Sequence, residues 1–184
     1  MTGGAGWPLV RGMTKRFALV VVLLTGPVQA TTLVAKDLSA LVDGSAVVVR
    51  ARVSQLRARQ VDARHWVTVA ECERLEPLKG ELPASFRVVT PGAVTDEVSQ
   101  LVEGAARLEV GAEVVLFLTR GADDVYRVTG WEQGHWRVLR RGDGVEALVP
   151  QAPTAARVSQ GQQLVAPLKP LTLAELEQQL SRAR

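Results

Sequence analysis

The sequence predicts a mainly β protein, built as a closed or partly open antiparallel barrel of five to seven strands with a short helix near each end. Short segments alternate apolar and polar side chains, which is typical of strands with one face in water. Turns containing glycine or proline separate these segments at short intervals. One segment near each end of the domain has the apolar spacing of a helix. A barrel is favoured because closure removes exposed strand edges.

The first thirty residues have the form of a secretory signal peptide. Lys15 and Arg16 precede the apolar run 17–24, and small residues lead to a cleavage site after Ala30. That run is much shorter than the roughly 20 residues of a transmembrane helix, so a retained anchor is the weaker alternative. Met13 is an alternative start. We therefore predict a cleaved protein that is secreted or periplasmic, without a stable membrane span.

The mature chain has no net charge. Three of the 22 Lys and Arg residues lie in the predicted signal peptide, which leaves 19 of them against 19 Asp and Glu residues. A neutral domain lacks the basic surface that nucleic acids require, so we expect no nucleic-acid partner.

The predicted barrel domain, 31–149, begins with a helix and three strands. Apolar spacing predicts the helix over 33–44, with Asp37 as its cap and Gly44 as its end. Alternation predicts strands over 46–56, 65–75 and 85–90. The segment 94–102 fits both a helix and a strand, and a strand or irregular structure is slightly favoured.

The second half of the domain contains four more predicted strands, over 113–119, 125–129, 135–139 and 145–149. The first is almost continuously apolar, which predicts a central strand covered on both faces. Arg141-Gly142-Asp143 is interpreted as an ordinary turn.

A linker, 150–170, joins this domain to a C-terminal amphipathic helix, 171–184. Thr172 and Glu175 form a capping box, and Leu173, Leu176 and Leu180 make one apolar face. So short a helix is marginal alone in water, so it must dock on the domain or on a partner. Docking on the domain is favoured.

Residues of about 38–130 carry a family resemblance. The order "SAVVVRARV", "VTVAECERLEPLKG", "FRVVTPG", "LEVGAEVVLFLTR" and "VYRVTG" resembles the oligonucleotide/oligosaccharide-binding (OB) barrel of netrin-like and metalloproteinase-inhibitor-like modules. It is also similar to secreted bacterial proteins with the same strand pattern. The resemblance implies an OB-like barrel. It does not extend to protease inhibition, because those modules are cysteine-rich and this chain has only Cys72.

Side chains that could carry chemistry are few. His65, Cys72 and His135 are the only soft metal ligands, and their spacing matches no zinc site. No nucleophile elbow or phosphate-binding glycine loop is present. Cys72 is expected to be a buried small hydrophobe, with an intermolecular disulfide or a reactive thiol as alternatives. We expect no catalytic residue, no metal and no cofactor.

The nine residues "GWEQGHWRV", 130–138, contain two tryptophans and a histidine. The flanking glycines favour a hairpin corner or a bulge. The alternative is a ligand-binding aromatic platform at the barrel mouth, formed by Trp131, His135 and Trp136 with Trp66.

These observations predict an exported, non-catalytic binding module for a protein or a glycan in the cell envelope or outside the cell. A small secreted hydrolase with an unrecognised site and a structural envelope component are the alternatives. The oligomeric state is left open.

Overall fold

A computed structural model describes residues 35–122, 124–140, 142, 144–151 and 168–182. The predicted signal peptide, most of the predicted linker (152–167), and Arg141 and Asp143 lie outside these ranges. Within them, no helix has the length and apolar character needed to cross a membrane.

Two helices, nine strands and one 3₁₀ turn make up this part of the chain. Their bounds are α1 Leu38–Asp43, β1 Val47–Gln60, β2 Trp66–Lys79, β3 Ser85–Pro91, β4 Ala93–Val94, β5 Ser99–Gln100, β6 Glu113–Arg120, β7 Val125–Val128, the 3₁₀ turn Trp131–Gly134, β8 His135–Arg140, β9 Glu146–Pro150 and α2 Leu173–Arg182. All seven predicted strands and both predicted helices are present. The ambiguous segment 94–102 contains the small β4–β5 hairpin.

Five strands close into a barrel in the order β1-β2-β3-β7-β6, and β6 pairs back onto β1. The predicted OB-like barrel is therefore confirmed. It differs from the prediction in one respect, because one pair of its strands is parallel. A ring with an odd number of strands cannot alternate direction all the way round. The parallel pair is β3–β7, where Arg87 lies opposite Val125 and Val88 lies opposite Tyr126.

Apolar side chains fill the interior of the barrel. On β1 the alternation of the sequence places every second residue inside, from Val47 to Val53. Phe86 and Tyr126 meet edge to face, with their ring centroids 5.8 Å apart, beside the parallel β3–β7 pair. Cys72 is also buried here, and burial raises the pKa of its thiol to about 12. The prediction of a buried, apolar cysteine is confirmed.

A second apolar core lies on the outer face of β1 and β6, under the two helices. Val115 and Phe117 point to this side, whereas their neighbours Val114 and Leu116 point into the barrel. The prediction that this strand is covered on both faces is confirmed. Trp136 and Leu148, from the β8–β9 hairpin, complete the layer.

The C-terminal helix docks on this outer core. Leu176 and Leu180 are buried in it, as the favoured interpretation of the tail predicted. The capping box also forms, because the Thr172 backbone N–H donates to Glu175 Oε2 (2.7 Å) and the Glu175 N–H donates to Thr172 Oγ1 (3.3 Å). At the other end of the domain, Asp37 caps α1 by accepting from the Ala40 N–H.

Candidate functional site

The four residues of the predicted aromatic platform do not form one surface, because two of them are buried. Trp136 is fully enclosed in the outer core, with its ring centroid 5.9 Å from that of Phe117. Its indole Nε1 donates to the Gln133 carbonyl (2.8 Å). His135 is only 4% exposed. Neither ring offers a face to a ligand, so the platform as predicted is wrong for these two residues. Helices that cover the outer face account for the burial of Trp136.

The glycine-flanked segment 130–134 is not a hairpin corner. Strands β7 and β8 both pair antiparallel with β6, and β1 occupies the other edge of β6, so β7 and β8 follow one another along one edge. The segment is a 3₁₀ interruption between them, which agrees with the bulge alternative. Gly130 (φ 66°) and Trp131 (φ 62°) are both left-handed, and Trp131 remains 39% exposed.

His135 has no hydrogen-bond partner for its Nδ1 atom within the described ranges. Burial and the nearby Arg137 charge lower its pKa to about 4, so the ring is neutral at ordinary pH.

His65 contacts a carboxylate, at the exposed turn between β1 and β2. Its Nδ1 lies 2.8 and 2.9 Å from the two Asp62 oxygens, and in the described part of the chain this is the ring's only hydrogen-bond partner. Asp62 also accepts from the backbone N–H groups of Arg64 and His65. These bonds, chiefly the one from Arg64, lower the pKa of Asp62. These bonds of Asp62 therefore stabilise the turn between β1 and β2. No group of three potential metal ligands occurs among the described residues.

A groove opens at the mouth of the barrel, between the concave face of β1–β3 and the segment that follows β3. Its volume is about 260 Å³. Thr68 and Thr90 lie opposite each other on its floor, and Ala58 lies opposite Thr68 on the next strand. The far wall is mostly apolar and includes Val94, Leu101, Val102, Ala105, Ala106 and Leu108. Two of these side chains, Val94 and Leu101, are 63% and 62% exposed.

Hydrogen bonds hold the far wall against β2. The Gln100 side chain bridges two backbone groups, because its Oε1 accepts from Trp66 N–H (2.6 Å) and its Nε2 donates to the Arg64 carbonyl (2.8 Å). Thr68 Oγ1 donates to the Gly92 carbonyl (2.8 Å). Gly92 has φ 83°, and a Cβ there would lie 2.5 Å from the Gln100 carbonyl oxygen, so only glycine fits. Trp66 shares the face of Thr68 on β2, but it is not among the residues that line the groove.

One side of the groove is a free strand edge. Strand β1 has 14 residues but pairs with β6 only as far as Arg52. The last bonds on that edge join Val53 to Gly111 (2.8 Å) and to Ala112 (3.0 Å). Beyond them, this edge makes no backbone hydrogen bond to any other described residue.

The alternation of β1 shows which backbone groups point to the free edge. The Val61 N–H donates to the His65 carbonyl across the hairpin. In an antiparallel pair, alternate residues point to opposite edges, so Arg59 and Arg57 also point toward β2. Leu56, Ala58 and Gln60 therefore point their N–H and C=O groups to the free edge.

The sequence contained a signal for this edge that the prediction did not use. The alternation of β1 continues through "QLRARQ", 55–60, well past the predicted end at residue 56, whereas the β6 segment is short. A strand longer than its neighbour must leave part of one edge unpaired. No such local signal marks Gln100 or the apolar far wall.

Comparison with known proteins finds no family whose model matches this sequence, and no curated protein sequence that matches it.

Proposed function

We propose that the chain is an exported, non-catalytic binding module that recognises a segment of a protein partner at the barrel mouth. The observation that carries the proposal is the apolar groove with its exposed Val94 and Leu101, set beside an unpaired strand edge. Exposed apolar side chains that rim a concavity are typical of protein-interaction sites. In OB barrels, the face of the second and third strands also binds ligands.

The size and lining of the groove favour a protein over a glycan. A volume of about 260 Å³ is below the roughly 300–1,000 Å³ of ordinary small-molecule pockets. It suits one or two side chains of a larger partner. Sugar recognition by stacking needs exposed aromatic faces, and Trp136 is buried. Trp66 remains part of the proposed site because its backbone N–H bonds Gln100 of the far wall, while Trp131 lies on the separate 3₁₀ turn.

Export is proposed from the signal-peptide pattern of residues 1–30. The test is N-terminal sequencing of the protein isolated from its own cells. We expect Thr31 to be the first residue, in the periplasmic or extracellular fraction. A chain in the cytoplasm that retains Met1 or Met13 would contradict export.

The binding site is tested with a displayed library of short random peptides selected on the full chain. Peptides selected by the native protein should bind at least about tenfold more weakly to Val94→Asp, because the charge must be desolvated in an apolar groove. Val110→Asp is the matched control, since Val110 is also 61% exposed but does not line the groove. Equal binding by both variants, or selection of no peptide, would refute the proposed site. Binding of the native protein to an immobilised glycan panel, in place of peptides, would support the glycan ligand instead.

A further inference from the structure

We infer that the partner segment binds in extended form as an additional strand on β1, along Leu56–Gln60, and that it alternates apolar with acidic side chains. This inference rests on the proposed function, for which it supplies the binding mode and the chemistry of the partner.

The free edge supplies the main-chain bonds. Leu56, Ala58 and Gln60 each contribute one N–H and one C=O, and an antiparallel segment in register could satisfy all three residues. Such strand addition is a recurrent way of binding extended peptides, in which backbone bonds give affinity and pockets for alternate side chains give specificity. The groove lies directly beside this edge, because Leu56 and Ala58 line it.

The concave face specifies the apolar side chains of the partner. Leu56 packs against the barrel core, and its face also carries Ala58. Directly opposed residues of an antiparallel pair point to the same face of the sheet. Every second side chain of an added strand would therefore enter the groove, whose far wall is mostly apolar and also includes Arg107. Small aliphatic side chains match its volume.

The convex face specifies the acidic side chains. The side chains of Arg57 and Arg59 alternate with those of Leu56 and Ala58 and therefore leave β1 on its convex face, although Arg57 also contributes to the lining of the groove. Both are exposed. Arg57 donates to Gln55 Oε1 (2.8 Å) and lies 3.7 Å from the Glu71 carboxylate, and Arg59 makes no ion pair within the described ranges. The remaining side chains of an added strand would lie beside these two guanidinium groups, where carboxylates are favoured.

The same arginines argue against a second copy of this chain as the occupant. Antiparallel self-pairing centred on Ala58 would place Arg57 opposite Arg59 across the two copies, and directly opposed like charges destabilise a pair of strands. Charged side chains on edge strands commonly prevent such self-association. An acidic partner converts this repulsion into attraction.

The test uses synthetic peptides that alternate valine with glutamate, added to the full chain and followed by calorimetry and by NMR of the β1 amides. Four controls isolate the two parts of the inference. A valine–lysine peptide reverses the charge. Two N-methylated versions each lack the N–H donors along one edge of the peptide. The Ala58→Pro variant removes an N–H from the free edge of β1 without removing a bond to β2.

The valine–glutamate peptide should bind. Of its two N-methylated versions, the one that lacks the N–H donors facing β1 should bind about tenfold or more weakly, and the other should bind like the unmodified peptide. Ala58→Pro should weaken it similarly while its thermal unfolding remains cooperative, and the lysine peptide should not bind. Binding that is indifferent to N-methylation and to Ala58→Pro would overturn strand addition while leaving the groove as the site. Equal binding of the lysine peptide would overturn the acidic partner. Failure of this peptide while library-selected peptides still distinguish Val94→Asp from Val110→Asp would overturn only this inference. Failure of both would remove the proposed function.

Discussion

Two histidines of opposite exposure make the pH dependence of stability a test of single residues. The folded pKa of His135, about 4, is below the roughly 6.5 of an unfolded histidine. Between these values the unfolded chain binds more protons. The contribution of His135 is therefore complete above about pH 6.5 and is lost as pH falls toward 4, to a limit of about 3 kcal/mol.

The measurement is urea unfolding of the native protein and of His135→Leu at neutral pH and near pH 4.5. We expect the variant to lose much less stability on acidification than the native protein. His65→Leu, which removes an exposed imidazole, is measured alongside as the matched control for loss of a histidine. Carboxylates whose pKa is lowered in the folded protein, such as Glu146, lose their stabilising contribution at lower pH than His135 does, and they are present in all three proteins. An unchanged slope in His135→Leu would show that this ring is not buried as described.

Substitution of two glycines by alanine distinguishes backbone strain from steric contact. Gly130 begins the 3₁₀ turn, and Gly111, which lies elsewhere, is the comparison. Gly130 and Gly111 both have positive φ, at 66° and 82°. A Cβ at Gly130 would lie 3.0 Å from Lys36 Cδ and 3.1 Å from Leu41 Cδ2, whereas one at Gly111 would meet nothing within 4 Å. Gly111→Ala should cost about 1–2 kcal/mol from the backbone alone. Gly130→Ala should cost more. Equal free energies of unfolding would contradict the contact of the turn with α1.

At the scale of elements, the C-terminal helix should stabilise the whole domain. Leu176→Ala removes a fully buried side chain from the outer core and should lower the free energy of unfolding by about 2–5 kcal/mol in chemical denaturation. Glu177→Ala, on the exposed side of the same helix, should change it by less than about 0.5 kcal/mol. If Leu176→Ala proved as mild as Glu177→Ala, the helix would not dock on its own domain in solution.

The elements were largely predictable because their signals are local. Alternation in β1 and β2, the apolar run of β6, and the caps at Asp37 and Thr172 depend only on near neighbours in sequence. Strand pairing is not local. The segment 130–134 resembled a hairpin corner because glycines flank it, but pairing of both neighbouring strands with β6 depends on the closed ring.

At the scale of the molecule, the fold has two apolar layers that share β1 and β6, one inside the barrel and one under the helices. The Arg50 side chain on β1 connects the barrel to the outer hairpin, because it donates to Glu113 on β6 and to Glu146 on β9. The second layer is why sequence reasoning misplaced Trp136. An alternating pattern shows that two faces differ, but it does not show which elements will cover each face.

The candidate site was the least predictable part for a related reason. Its floor comes from Ala58, Thr68 and Thr90, on three strands, and none of these side chains is a usual marker of function. Tryptophan and histidine drew attention because they commonly contact ligands. A groove made by unequal strand lengths and a packed loop becomes visible only when the strands are paired.

Amide hydrogen exchange along β1, followed by NMR on the full chain, tests whether the barrel mouth offers a free strand edge. The account predicts slow exchange at Arg57 and Arg59, which bond β2, and fast exchange at Leu56 and Ala58, which alternate with them. Uniformly slow exchange from Leu56 to Arg59 would mean that this edge is already covered, and would contradict the account.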